Sequence, residues 1–402
     1  MCRFFREIRD IVRAEGIVFF LFLLTCFTHN MDIGSIVYAT LLFILFFAVL
    51  LKSYKRYIDP ISVFLILFST TYILFSPTFV LVYAFRCLLG PVLFYIYGRY
   101  CVSHIRFDIS LVIIMVILMI VSISFPVWWA VISNMLSGNI ISTTSEEGSR
   151  WLKTWGQSNV VPATTYGVIA SFGLCGLGFF IVDNDRFKKM DSWILLVCSI
   201  CSLLTTLYLI NRSGIVIIGL VTLLILLYSS RDFSIKSFLF FFPIAIALIY
   251  LFFTMQEIDD IIDAYSNRNN ISEGGDRTWR WKDAIFRVFS MPFGWSTDKT
   301  VPYTYVHNMW LDIARDAGIL PFFAILVATI KMIRINILFF FKRYNRVHLL
   351  LLTLFLSVFI SYMIEPVIEA NIFYLSIFTW IWGVEREVYI REKAMGIFGQ
   401  TS

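Results

Sequence analysis

The sequence predicts an all-α polytopic membrane protein, and three observations carry that prediction. Charged residues make up 15% of the 402 positions and hydrophobic residues 59%, whereas soluble domains hold about 25% charged residues. The apolar runs are long and continuous, roughly the 20 residues a helix needs to cross a hydrocarbon core. A spanning barrel would instead show alternating segments of about ten residues. Phe (41) and Trp (11) are abundant, as lipid-facing and interfacial surfaces require. Backbone amides in lipid have no water to bond, so uninterrupted apolar runs read as helices.

In chain order the runs predict about twelve spans, near 12–28, 34–52, 60–77, 79–98, 108–128, 161–182, 192–210, 213–229, 236–255, 317–333, 348–364 and 370–385. The basic segment 1–16 has no small-residue cleavage site after its apolar run, so it reads as a cytoplasmic start and not a removed signal peptide. Most of the 33 Lys and Arg then fall on the side of that start, which puts both termini in the cytoplasm. The chain reads as a single transmembrane domain, 1–402, with two long outer loops, 129–160 and 256–316. The outer basic residues concentrate in those loops. The net charge of +6 is spread over connecting segments and does not indicate nucleic acid. The seven cysteines lie in or beside spans without metal-ligand spacing, so neither a disulfide framework nor a metal site is expected. No cofactor motif is present.

The outer loop 256–316 carries the densest polar chemistry. Trp281, Ala284, Ile285, Val288 and Phe289 recur at helical spacing, predicting an amphipathic helix over 277–290. Arg280 and Arg287 share its polar side, with Arg277 about a sixth of a turn away. Asp276 suits its N-cap after Gly274 and Gly275, and Met291-Pro292 and Gly294 end it. Exposed amides at a positive helix end, with a guanidinium beside them, suit a phosphate or pyrophosphate. The same pattern also fits an interfacial helix on anionic headgroups.

Three further groups map to the outer side. Tyr305–Asp312 is expected to open a helix running into the span after Gly318, with His307, Leu311, Ala314 and Gly318 on one face. His307 could take a hydroxyl proton near neutral pH or simply hydrogen-bond a neighbour. Arg212, in Asn211-Arg212-Ser213-Gly214, sits at or below the interface, where charge is expensive and usually paired or functional. Arg86 lies in the fourth span, and Glu365 and Glu369 flank the last turn between spans. A structural Arg–Glu pair and a catalytic carboxylate are both open readings there. Together these residues describe an outward-facing cationic cavity for an anionic lipid headgroup. The Asn-x-Ser patterns at Asn211 and Asn270 carry no functional weight.

At Arg212, Arg277 and His307-Asn308 with Leu311 and Gly318, the chain resembles the bacterial O-antigen polymerase (Wzy-type) and O-antigen ligase superfamily. Motif similarity is confined to about 205–320, and the span count and loop position agree. The resemblance implies a GT-C-type glycosyltransferase of the inner membrane with its site facing the periplasm, needing neither metal nor nucleotide sugar. Carried over, Arg212 and Arg277 bind the pyrophosphate of an undecaprenyl-pyrophosphate-linked oligosaccharide and help it leave. His307 orients or deprotonates the acceptor hydroxyl. Arg280, from its place beside Arg277, and Asn308, Arg86, Glu365 and Glu369 complete the expected substrate-binding set. Besides the substrate and membrane lipids, the implied partners are a chain-length regulator and a flippase of the same pathway. The compact HNMWLDIARDAG stretch and the MIEP segment look more like a polymerase than a ligase, whose acceptor is lipid A-core. The different-class alternatives are a lipid-linked oligosaccharide flippase and a nonenzymatic organiser of the assembly machinery. The lack of a visible repeat and the few charges on the cytoplasmic half of the spans weigh against transport.

Overall fold

The computed structural model describes residues 16–51, 54–77, 81–104, 109–137, 151–157, 161–182, 190–209, 211–229, 277–342, 345–365, 367 and 371–396. The span predicted near 236–255, Asn270, the Gly274–Asp276 helix start and Glu369 lie outside them.

Within the described residues the chain is helical. In order come α1 (Gly16–Thr28), α2 (Gly34–Leu51), a 3-10 turn at Tyr54–Tyr57, α3 (Pro60–Phe75), α4 (Leu81–His104), α5 (Ile109–Leu136), α6 (Ala163–Val182), α7 (Met190–Tyr208) and α8 (Arg212–Ser229). The outer loop supplies α9 (Arg277–Ser290) and α10 (Met309–Ala317), followed by α11 (Ile319–Phe341), α12 (Arg346–Ile364) and α13 (Ile372–Ala394). A two-residue antiparallel ribbon joins β1 (Trp151–Leu152) to β2 (Val161–Pro162). Five helices, α4, α5, α7, α11 and α12, are long and apolar enough to cross a membrane, and α1, α2, α3 and α6 contain shorter apolar stretches. The protein is a helical membrane protein.

Helix packing at the centre relies on missing side chains. A Cβ on Gly98 of α4 would stand 2.3 Å from the Trp380 carbonyl, and one on Gly383 of α13 would stand 2.1 Å from the Tyr95 carbonyl. The two backbones therefore touch, the arrangement by which helices associate where lipid offers no hydrophobic driving force. Trp380, Trp382, Phe94 and Tyr97 fill the space around this contact and are fully buried.

The bundle has two polar ends. At one, Asp59 caps α3 by accepting from the amides of Ile61 and Ser62. Around it lie Arg386 (2.8 Å) and Arg99 (3.5 Å), and Arg99 also reaches Glu387 at 3.0 Å. Arg391 joins Glu387 at 3.1 Å, Arg346 joins Asp191 at 2.9 Å, and His348 joins Glu392 at 2.6 Å. At the other end, the α1–α2 turn meets the ribbon segment (Asp32 amide to Gly156 carbonyl, 3.0 Å). There too Tyr374 donates to Asn30 (3.1 Å), Tyr72 to Asp316 (3.3 Å) and Ser213 to Glu365 (2.9 Å). This loop end gathers α9, α10 and the starts or ends of α3, α8, α12 and α13.

Candidate functional site

The amphipathic helix predicted over 277–290 forms as α9, and its apolar side divides. Ala284 and Val288 are buried in a small core with Trp295, Tyr303, Val306, Leu311 and Ala314. Ile285, Phe286 and Phe289 face outward with Phe293, Phe286 being 72% exposed. The Phe289 ring lies 6.5 Å from that of Phe323 on α11, and Phe293 lies 5.7 Å from Phe75. The inner face therefore builds a loop core while the outer face continues the apolar surface of the bundle, as an interfacial helix does.

The polar side of α9 grips the segment before α10. Asp283 receives Arg287 and the Tyr303 hydroxyl, each at 2.7 Å. The Trp281 indole donates to the Val306 carbonyl at 3.1 Å, and Arg280 donates to the Tyr305 carbonyl at 3.4 Å. Two successive carbonyls ahead of His307 are thus held from α9. Arg277 opens the helix one turn before Arg280, and Arg212 opens α8.

The helix expected to start at His307 and run on past Gly318 is instead two helices. Asn308 is the N-cap of α10, its side-chain oxygen accepting from the Leu311 amide at 3.2 Å, a contribution of about 1 kcal/mol. Gly318 ends α10 with φ 84°, and a Cβ there would stand 2.1 Å from the Pro292 carbonyl. That carbonyl instead accepts the Ile319 amide at 2.9 Å. His307 lies just outside α10 with φ 59°, the one non-glycine with positive φ among the described residues. Histidine tolerates this region better than most side chains, yet such residues cost about 1–3 kcal/mol and cluster where geometry is functional.

Asp312 holds that turn. It is 0% exposed, and its two carboxylate oxygens accept from the amides on either side of His307, Val306 at 2.7 Å and Asn308 at 3.1 Å. Burial pushes its pKa up to about 7, against the pull of those amides and of Arg315. Arg315 sits 3.8 Å from Asp312 and 3.2 Å from Asp316, with its guanidinium 5.6 Å from the Tyr305 ring centroid. That ring stands edge-on to His307 at 6.3 Å. Asp312, Tyr305 and Arg315 escaped the sequence-predicted site. Asp312 had one local signal, an acid four residues after a candidate N-cap, related to the capping box.

The remaining predicted residues divide into two groups. Asn308 also donates to the Met363 carbonyl at 3.3 Å. Two residues on, Glu365 caps α12 and accepts from Ser213, and Asn211 caps α8 by accepting from the Ser213 amide at 3.0 Å. The C-terminal end of α12 therefore ties the His307 turn to the helix that Arg212 begins. Asn308 is 4% exposed and both its side-chain atoms are committed to the fold, so it positions the turn. Arg86 lies elsewhere on the same end: it donates to the Ser35 carbonyl at 3.1 Å and lies 5.9 Å from the Tyr38 ring centroid. It braces α4 against α2 and is not the partner of Glu365.

The arrangement presents a half-buried imidazole on a clamped turn, two arginine-bearing helix starts and a helix carrying Arg280, all beside the apolar surface of the bundle. No protein-family model matches the chain, and no curated protein matches it.

Proposed function

We propose that this is a glycan polymerase of the bacterial inner membrane. It extends O-antigen or a similar surface polysaccharide by moving the growing glycan from undecaprenyl pyrophosphate to a new lipid-linked repeat unit. The observation that carries the reading is the His307 turn, strained, pinned by Asp312 and α9, and tied through Asn308 and α12 to the helix that begins at Arg212. The resemblance at Arg212, Arg277 and His307 supplies the substrate class, a twelve-span GT-C-like architecture and a periplasmic site. The excess of basic residues at the Asp59 end supports placing that end, and both termini, in the cytoplasm.

In the proposed reaction a hydroxyl of the acceptor sugar attacks the anomeric carbon of the donor glycan. The carbon–oxygen bond to the pyrophosphate breaks, and the oxygen leaves with the bonding pair. His307 takes the hydroxyl proton, an effect worth about 10²–10⁴-fold. Arg212, Arg277 and Arg280 offset the negative charge growing on the diphosphate. No metal is required, because guanidinium groups supply the positive charge.

Purified protein in liposomes, given a lipid-linked repeat unit, should produce a ladder of glycans. His307→Ala, Arg277→Ala and Arg212→Ala, present at normal membrane levels, should each shorten or abolish it; a full ladder from all three overturns the assignment. In cells, deletion should leave lipid A-core with a single repeat unit. Bare core with polymer accumulating on the lipid carrier would instead mark a ligase, and units trapped on the cytoplasmic face a flippase.

A further inference from the structure

The Asp59 end holds a cavity of about 380 Å³ lined by Pro60 and Ile61 of α3, Lys331, Arg334, Ile335 and Leu338 of α11, and Arg386, Tyr389, Ile390 and Lys393 of α13. Its origin is a difference in helix length. α3 starts at Pro60 and has 16 residues, while α11 and α13 have 23 each. α3 is therefore shorter by about 10 Å at 1.5 Å per residue. Tyr72 near its far end is fixed to Asp316, so the shortfall appears at Pro60 and leaves a notch between the two longer helices. Both present the same i, i+3, i+4, i+7 face to it, 331-334-335-338 and 386-389-390-393, so side chains from two turns of each converge.

The notch combines cationic and apolar lining. Four basic residues line it and no lining residue is acidic. Arg386 is already engaged with Asp59 at 2.8 Å. The Lys331 ammonium lies over the Phe64 ring, 5.9 Å from its centroid, and its side chain lines the notch. Arg334 and Lys393 are exposed. Ile61, Ile335, Leu338 and Ile390 supply the apolar wall. A phosphate beside an alkyl chain matches this pairing, whereas a free anion would leave the apolar wall uncovered.

We infer that this notch binds the phosphate headgroup of an anionic membrane phospholipid, with Lys331, Arg334 and Lys393 on the phosphate and the isoleucines on the adjoining acyl chain. The site lies at the opposite end of the bundle from His307 and does not depend on what that end catalyses. Each cation near a membrane surface contributes about 1 kcal/mol, or fivefold, toward an anionic lipid.

The test compares two variants of equal charge in nanodiscs of phosphatidylcholine doped with phosphatidylglycerol or cardiolipin, reading retained lipid by native mass spectrometry. R334Q/K393Q removes two cavity cations. R56Q/K342Q removes two cations from the same end outside the cavity. The cavity variant should retain anionic lipid at least tenfold less than the unmodified protein, and the control within about twofold. Equal loss in both variants would show diffuse surface charge, and no loss in either would show no site; each result overturns the inference. Sodium pyrophosphate that stabilises the protein in pure phosphatidylcholine discs, and loses that effect in R334Q/K393Q alone, would mark a soluble anion as the ligand and overturn it as well.

Discussion

The two ends of the bundle both hold arginines and carboxylates, but they use them differently. At the Asp59 end charge meets charge: Arg386 and Arg99 lie on Asp59, Arg99 and Arg391 on Glu387, and Arg346 on Asp191. The loop end has ion pairs too, Arg287 with Asp283 and Arg315 with Asp312 and Asp316, but there the groups nearest His307 also bond to its backbone neighbours. Asp312 takes the amides of Val306 and Asn308, Arg280 and Trp281 take the carbonyls of Tyr305 and Val306, and Asn308 takes the carbonyl of Met363. Paired charges weld helices together. Charges spent on a turn fix the place of one side chain. The lesson is that a count of arginines does not locate a site; what each charge bonds to does.

Breaking the comparison begins with the largest effect. If the loop end exists to place His307, removing its ring should cost activity and little stability. His307→Ala should reduce glycan extension by about 10²–10⁴-fold. His307→Gly should match that loss while unfolding no earlier than His307→Ala, because glycine adopts positive φ freely. Thermal unfolding in detergent beside the ladder assay checks both. A glycine variant that keeps the ladder would show that the backbone, and not the imidazole, matters.

The converse applies at the Asp59 end. Arg99 has a side chain 5% exposed and faces two carboxylates. Arg99→Ala leaves Asp59 with Arg386 and Glu387 with Arg391 but removes the buried cation they share. It should therefore cost less than the ~3–5 kcal/mol of a fully stranded charge, seen as lower membrane yield and a lower unfolding temperature. The protein that still folds should extend glycan at near the normal rate per molecule. A variant that folds as well as the parent but does not extend glycan would move catalytic importance to that end.

Asp312→Asn sharpens the boundary between the two behaviours. The amide keeps the shape of the carboxylate but turns one acceptor into a donor facing a backbone N–H. That should cost about 1–3 kcal/mol locally. A displacement of His307 of order 1 Å can cost about 10²-fold in rate, so activity should fall well beyond what the stability loss explains.

These residues also show what the sequence could carry. The helical membrane class and α9 were legible because a repeating local pattern sets them: apolar length, which five of the described helices reach, and i, i+3, i+4, i+7 spacing for Trp281, Ala284 and Val288. The break at Gly318 was not, because it depends on Pro292, a residue 26 positions away that takes the Ile319 amide. Asn308 read as a substrate ligand because its motif match says nothing of Met363. Arg86 and Glu365 read as a possible pair because both map to one side; which of the many neighbours each bonds is decided by helix rotation, which hydropathy does not encode. The Asp59, Arg99 and Glu387 group joins three distant segments, and no periodicity announces it.

The smallest effect separates the ends by pH. Burial holds the Asp312 pKa at about 7, above the ordinary 3.8, and the neighbouring Asp316 is raised in the same direction by burial. Between these values the closed turn keeps a proton that an opened turn releases, so closing takes up a proton. The stabilisation is complete below pH 4 and is lost as pH rises through 7, by at most about tenfold in the opening equilibrium per pH unit. Hydrogen exchange of the Val306 and Asn308 amides, corrected for the intrinsic rate, should therefore lose protection between about pH 4 and 7 and level off above it. Asp312→Asn should flatten most of that slope, leaving the smaller part that belongs to Asp316. Protection that rises with pH over the same interval would mean that the two amides outweigh burial and that the carboxylate clamps the turn in its ionised form.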